Sequence, residues 1–265
     1  MYSSFQLARK YLRYYASAHN GKGHGMHSPF VFQFILNVLH NGRGYEMPGT
    51  IETLRAEMLA CTDVLTIQDL GAGSRTGSSR QRTVSKLAKA ALKPKKYGQL
   101  LYRLARYYQP RTIIELGTSL GTTTSYLAMA APEADVVTIE GSEDVRAVAA
   151  KNFKKLGLAN IRSLAGNFDT VLPSVLAEMK SVDLAYIDGN HRYAPTKQYF
   201  QQLLAKSHND TILVFDDIHW SAEMEAAWAE ISQHPDVRCT VDTFFLGFVF
   251  FRSAFKERRH FSIRF

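Results

Sequence analysis

The sequence predicts an α/β protein: a mostly parallel sheet of seven strands with helices on both faces, a terminal antiparallel hairpin, and a helical extension in front. Three observations predict it. From residue 111, short apolar runs alternate with stretches of helical period. Near the end, "VRCTVDTF" and "LGFVFFRS" follow each other with no helix between them. Residues 1–110 hold 16 Lys and Arg against 5 Asp and Glu, whereas residues 111–265 hold 16 against 19, so the two parts differ in kind. The expected division is a helical N-terminal extension or lid over 1–104 and a catalytic-size domain over 105–265.

The elements follow in order. Residues 4–18 carry Phe5, Tyr11, Leu12 and Tyr15 among basic residues and read as a helix. "NGKGHGMHSP" at 20–29 is a turn, and helices follow near 30–40 and 50–60. "VLTIQDLGAGSRTGSSRQR" reads as a short extended stretch and a polar loop. Val84, Leu87, Ala88, Ala91 and Leu92 recur at helical spacing, and "YGQLLYRLARYY" is a helix that stops before Pro110. Five strands then alternate with helices: "TIIELG", "DVVTIE", "NIRSLAG", "VDLAYID" and "TILVFDD". Alternation of this kind builds a parallel sheet covered on both faces. The last two strands, joined directly, must run antiparallel.

Composition excludes several classes. The 265 residues are 46% hydrophobic and 21% charged, which is globular rather than disordered or fibrous. Two distant cysteines, Cys61 and Cys239, make neither a disulfide framework nor a four-thiolate zinc site, and fit a reducing compartment. No apolar run approaches the roughly eighteen residues of a membrane helix. Arg9, Lys10 and Arg13 stand where a secretion signal would need its apolar stretch. The expectation is a cytoplasmic protein with no membrane partner.

Two glycine loops compete for a nucleotide role. "DLGAGSRTG" at 69–77 has only lysines at the distance where a ribose-binding acid belongs. "ELGTSLGTTT" at 115–124 does better. A buried strand meets a helix there, Gly117 and Gly121 let the backbone turn close to a ligand, and Glu140 ends the next strand. Neither loop is Gly-x-Gly-x-x-Gly, so the dinucleotide fingerprint is absent. Further on, Asp188 ends the fourth strand, and Asp216 and Asp217 end the fifth. Ligands bind at the carboxyl edge of open α/β sheets. Three carboxylates converging there repel unless protonated or joined by a cation, and a hard divalent ion such as Mg2+ suits oxygen ligands. His191, three residues after Asp188, is a candidate base, since histidine is the side chain suited to taking a proton in general base catalysis. His219 and Trp220 either wall an acceptor pocket or pack. Ser221, Asp216 and Asp217 are all candidates to cap the following helix.

The Glu-x-Gly-x-x-x-Gly loop, Glu140 and the terminal hairpin resemble the class I S-adenosylmethionine-dependent methyltransferases over about residues 105–252. That resemblance implies a Rossmann-like sheet and S-adenosylmethionine as cofactor. It implies that Glu115, Gly117, Thr118, Ser119 and Gly121 lie around the methionine part of the cofactor, with Glu140 and the adjoining Gly141 at the ribose. Asn167 and the Phe168 backbone would hold the adenine, and Asp188 would touch the cofactor as well. The strand-end acids resemble those of the metal-dependent catechol-type O-methyltransferases, which implies Asp188, Asp216 and Asp217 as metal ligands and Asp188 and His191 as catalytic. Two departures stand out: Asp217 occupies the place of an amide, and His191 that of a basic lysine.

The leading expectation is therefore methyl transfer to a small-molecule hydroxyl, with or without a divalent metal. The alternative is a methyltransferase acting on RNA or another nucleic acid, with Arg75, Arg80, Arg82, Lys86, Lys89, Lys93, Lys95 and Lys96 on phosphates. Against it, the fourth strand ends in "IDGN" rather than an Asn-Pro-Pro-Tyr type of motif. A non-catalytic scaffold is disfavoured by the strand-end acids, because buried charge is costly without a task.

Overall fold

The computed structural model describes residues 1–23, 26–67 and 81–265. The "DLGAGSRTG" stretch, with Arg75 and also Arg80, lies outside the described residues. The N-terminal part winds into α1 (Ser4–Ser17), α2 (Pro29–Phe34) with a π-helical turn (Ile35–Leu39), and α3 (Gly49–Ala60). A small antiparallel pair, β1 (Val64–Thr66) and β2 (Gln81–Thr83), precedes α4 (Val84–Ala91) and α5 (Lys95–Tyr108). Alternation begins with β3 (Thr112–Leu116), α6 (Thr122–Ala130), β4 (Asp135–Glu140), α7 (Glu143–Lys155) and β5 (Ile161–Ala165). It continues with α8 (Phe168–Glu178), β6 (Leu184–Ile187), α9 (Tyr193–Leu204), β7 (Ile212–Asp216) and α10 (Ala222–Gln233). The chain closes on β8 (Cys239–Asp242), β9 (Leu246–Phe250) and β10 (Arg259–Ser262).

The seven expected strands are β3 to β9. The main sheet adds an eighth, β10, which pairs parallel to β8 from Arg259↔Cys239 to Ser262↔Asp242. "RHFS" is short, charged and mostly exposed, as edge strands are, so it lacks the apolar run that marks a buried strand. Among the described residues, no helix is long and apolar enough to cross a membrane.

The chain forms two compact units, Met1–Leu39 with Pro173–Phe265, and His40–Leu172. In the second, β3, β4 and β5 are parallel neighbours, with Leu116 opposite Ile139 and Glu140 opposite Ala165. "TIIEL" has a near-continuous apolar run, and residues 113–116 are buried, as a strand covered on both faces requires. Helix α5 ends where Gln109 turns left-handed (φ 48°) and donates its amide to the Ala105 carbonyl, just before Pro110. Leu54, Met58, Val84, Ala88, Leu120 and Val145 form a buried core that ties α3 and α4 to the segment after β3.

In the first unit, β6 and β7 run parallel, and β7 pairs antiparallel with β9, which pairs antiparallel with β8. The expected hairpin is thus present, with Cys239 opposite Phe250. Helix α2 starts at Pro29 after the Ser28 cap, and its Phe34 meets Phe248 and Phe250 edge-on at 5.1 and 5.6 Å. Helix α1 carries a capping box from Ser3 and Gln6.

Candidate active site

In the unit His40–Leu172 the candidate cofactor residues gather around the bend after β3. Gly117 has φ 102°, Ser119 φ 47° and Gly121 φ 81°. Side chains at alternate positions turn inward: Thr118 and Leu120 are buried. Thr118 Oγ1 lies 2.5 Å from Thr138 Oγ1, and Leu120 enters the apolar core. Among the described residues of the bend, the accessible face is left to Gly117 and Ser119, both half-buried. Gly121 has a second constraint besides its φ. A Cβ there would stand 2.5 Å from Phe153 Cε1, so only glycine lets the bend close onto α7.

Glu140 ends β4 half-buried beside this bend. Its Oε2 accepts from the Ser119 amide at 2.8 Å and its Oε1 from the Ser142 amide at 3.0 Å. A half-buried carboxylate fixed in this way at the end of a strand is an acceptor of the kind that ligand hydroxyls use. Gly141, half-buried, links Glu140 to Ser142. Glu115 differs in kind. It is wholly buried, and its Oε2 accepts from Thr138 Oγ1 at 2.6 Å and from Thr124 Oγ1. It pins β4 and α6 beneath the bend. Asn167 follows Gly166 (φ 136°), and its side chain accepts from the Asp169 amide at 2.9 Å, opening α8 just before Phe168. A glycine bend beside one half-buried acid suits an adenosyl cofactor.

In the other unit the strand-end acids are held by a residue that sequence reasoning missed. The Tyr186 hydroxyl lies 3.3 Å from Asp188 Oδ2 and 3.1 Å from Asp216 Oδ2. Residues two apart on a strand share a face, which puts Tyr186 beside Asp188. Ile187 lies opposite Phe215 in the parallel register, so the next residue of each strand is an acid. Asp216 is wholly buried, and its Oδ1 also accepts from the Asp217 amide at 2.9 Å. Among the described residues, no group of three or more His, Cys, Asp and Glu side chains is gathered so as to hold a metal ion. The spacing brings Asp188 and Asp216 onto one tyrosine but does not by itself assemble a cation cage.

His191 Nε2 stands 3.4 Å from Asp188 Oδ1. The turn that presents it is strained, with Asn190 at φ 65° and His191 at φ 28°. Asn190 Nδ2 donates to Tyr199 Oη at 3.1 Å, which moors the turn to α9. Asp217, at φ 52°, is another left-handed residue at a strand end. Backbone strain concentrates at functional sites because only a surrounding structure with a use for it sustains it. The helix cap after β7 is Ser221, whose Oγ accepts from the Met224 amide at 3.2 Å. His219 packs rather than standing open. Its Nδ1 is 3.0 Å from Glu225, its Nε2 is 2.8 Å from Asp242, and its ring stacks on Phe244 at 5.0 Å.

The family described as "Methyltransferase domain" matches residues 114–218. A curated catechol O-methyltransferase of Niastella koreensis is 32% identical over 124 residues, which is 46% of this chain and 55% of that protein. The chain thus spans about half the length of that relative. An O-methyltransferase of Bacillus cereus, solved in complex with SAH, superposes with TM-score 0.58 at 20% identity, covering 83% of this chain and 97% of its own. An SAH-bound methyltransferase of Podospora anserina superposes with TM-score 0.58 at 13% identity, covering 96% and 98%. At such identities these likenesses show the fold.

Proposed function

We propose that this chain, whose residues 114–218 match the methyltransferase-domain family, transfers a methyl group from S-adenosylmethionine to a hydroxyl oxygen of a small-molecule acceptor. The observation that carries the reading is the open bend. Gly117 and Ser119 form its accessible face, and Glu140 is pinned there by the Ser119 amide at 2.8 Å. S-adenosylmethionine, when bound, supplies a methyl group already activated on a sulfonium. The remaining work falls to the protein. Gly117, Thr118, Ser119 and Gly121 accommodate the methionine part, with Glu115 bracing them from below. Glu140 orients the ribose as a hydrogen-bond acceptor, with Gly141 leaving room. Asn167 and the Phe168 backbone border the adenine.

Deprotonation of the acceptor is assigned to His191. With Nε2–H directed at Asp188, the Nδ1 lone pair takes the acceptor's proton, and Asp188 steadies the imidazolium that forms. The acceptor class is read from the catechol O-methyltransferase relative.

Calorimetry with S-adenosylhomocysteine tests the assignment. Glu140→Ala is expected to weaken binding about tenfold to a hundredfold, the worth of one or two charge-assisted hydrogen bonds. Unchanged affinity would remove Glu140 from the ribose. The same titration with and without Mg2+, followed by an acceptor screen, tests the divalent-cation role of Asp188, Asp216 and Asp217. Turnover indifferent to Mg2+ and to chelator would remove that role.

A further inference from the structure

Helix α1 keeps an apolar face that no described residue of its own unit covers. Six large apolar side chains are exposed among the described residues, and four of them lie at its start or along it: Met1 (59%), Phe5 (78%), Leu12 (68%) and Tyr15 (49%). At roughly 100° per residue, Phe5, Ala8, Leu12 and Tyr15 fall within a sector about 80° wide, and Arg9 and Arg13 fall in the sector beside it. This is not a loose end. Lys10 Nζ pairs with Glu225 at 2.8 Å, Tyr2 Oη donates to Glu225 at 2.7 Å, and Tyr11 meets Phe244 edge-on at 5.0 Å. Tyr14 Oη donates to the Ile263 carbonyl, and His19 continues into β10 through the Ser262 carbonyl at 2.8 Å. One face of α1 is anchored, and the neighbouring apolar stripe faces solvent.

The charge around the stripe indicates its partner. Residues 1–23 hold four Lys and Arg and no Asp or Glu. Arg264, brought in beside β10, lies over the Tyr15 ring at 4.6 Å. A second copy docked on this stripe through a two-fold axis would set Arg9 and Arg13 against their own equivalents, with no acid on α1 to match them. An anionic lipid surface has the opposite requirement. It accepts a narrow apolar stripe at the boundary of headgroup and acyl chain, and attracts the flanking cations. Arginine can keep its head at the phosphates while its stem lies along the apolar layer.

We propose that α1 is an interfacial anchor that seats this protein reversibly on anionic lipid surfaces, with Phe5, Ala8, Leu12 and Tyr15 entering the boundary layer and Arg9 and Arg13 meeting the phosphates. This is attachment along a surface, not a crossing of the bilayer. It stands independently of the methyl-transfer reading.

The test is co-sedimentation of the full chain with phosphatidylcholine vesicles, with and without phosphatidylglycerol. The wild type is expected to sediment with the phosphatidylglycerol vesicles and stay in solution with phosphatidylcholine alone. F5S/L12S removes two exposed side chains and should leave the thermal midpoint unchanged while weakening binding about tenfold or more. R9Q/R13Q should weaken it as well, and added salt should do the same to the wild type. Absence of phosphatidylglycerol-dependent sedimentation overturns the proposal. So does binding that both variants leave intact. Light scattering that finds a wild-type dimer, dissociated by F5S/L12S, would assign the stripe to a second copy instead.

Discussion

His219 shows how far a residue's role can depend on partners distant in sequence. Burial alone would push its pKa down, but the Asp242 and Glu225 carboxylates outweigh that and hold it above the usual histidine value. Glu225 shows the converse: burial would raise its pKa, yet Lys10, Tyr2 and His219 together hold it below the usual carboxylate value. A raised histidine contributes stability fully below its unfolded pKa and loses it as pH rises through the folded one. Glu225 contributes above its unfolded pKa and loses that contribution as pH falls through its folded value. His219→Gln should therefore melt below the wild type at about pH 6, with the gap narrowing towards about pH 8. A gap constant across that window would remove the charged histidine from the account. The pair of roles open for His219 in the sequence, pocket wall or packing, resolves to packing because Glu225 and Asp242 lie six and 23 positions away. Tyr186 was just as hidden. A tyrosine inside a buried strand reads as core, and only the pairing of β6 with β7 puts its hydroxyl between two acids.

At the scale of elements, the legible features were those with a period or a breaker. Strands β3 to β9 stood out as apolar runs, and Pro110 marked the end of α5. The π-helical turn at Ile35–Leu39 did not stand out, because its residues read as ordinary helix formers continuing α2. Close packing was also silent in the sequence. Gly98 lies within α5, and a Cβ there would stand 2.4 Å from Tyr126 Cε2 on α6. The Tyr126 hydroxyl is itself held by Glu52, and burial pushes its pKa up further. Although alanine favours helix more than glycine does, Gly98→Ala should destabilise by about 1–3 kcal/mol, since overpacking outweighs the propensity gain. A melting temperature at or above that of the wild type would mean that the Tyr126 ring moves aside freely.

For the molecule as a whole, the net charge of +8 and its concentration in residues 1–110 kept a nucleic-acid acceptor open in the sequence. The small-molecule reading predicts that RNA binds loosely and is lost as salt rises to physiological strength, as sequence-independent phosphate contacts are. A complex that survives there, measured by anisotropy across a salt series, would revive the nucleic-acid reading. The sequence alone determined the alternation of strand and helix, the bend between Glu115 and Gly121, and the acids at three strand ends. These are local properties: burial of a strand demands an apolar run, and a tight bend after it favours glycine at its left-handed positions. Tertiary structure decided what each polar group touches. It sent Glu115 beneath the bend rather than to its surface, joined Asp188 to Asp216 through Tyr186, clamped His219, and left one face of α1 bare. The reason is that hydrogen bonds and burial are settled between segments far apart in the chain, and no local pattern records which segments will meet.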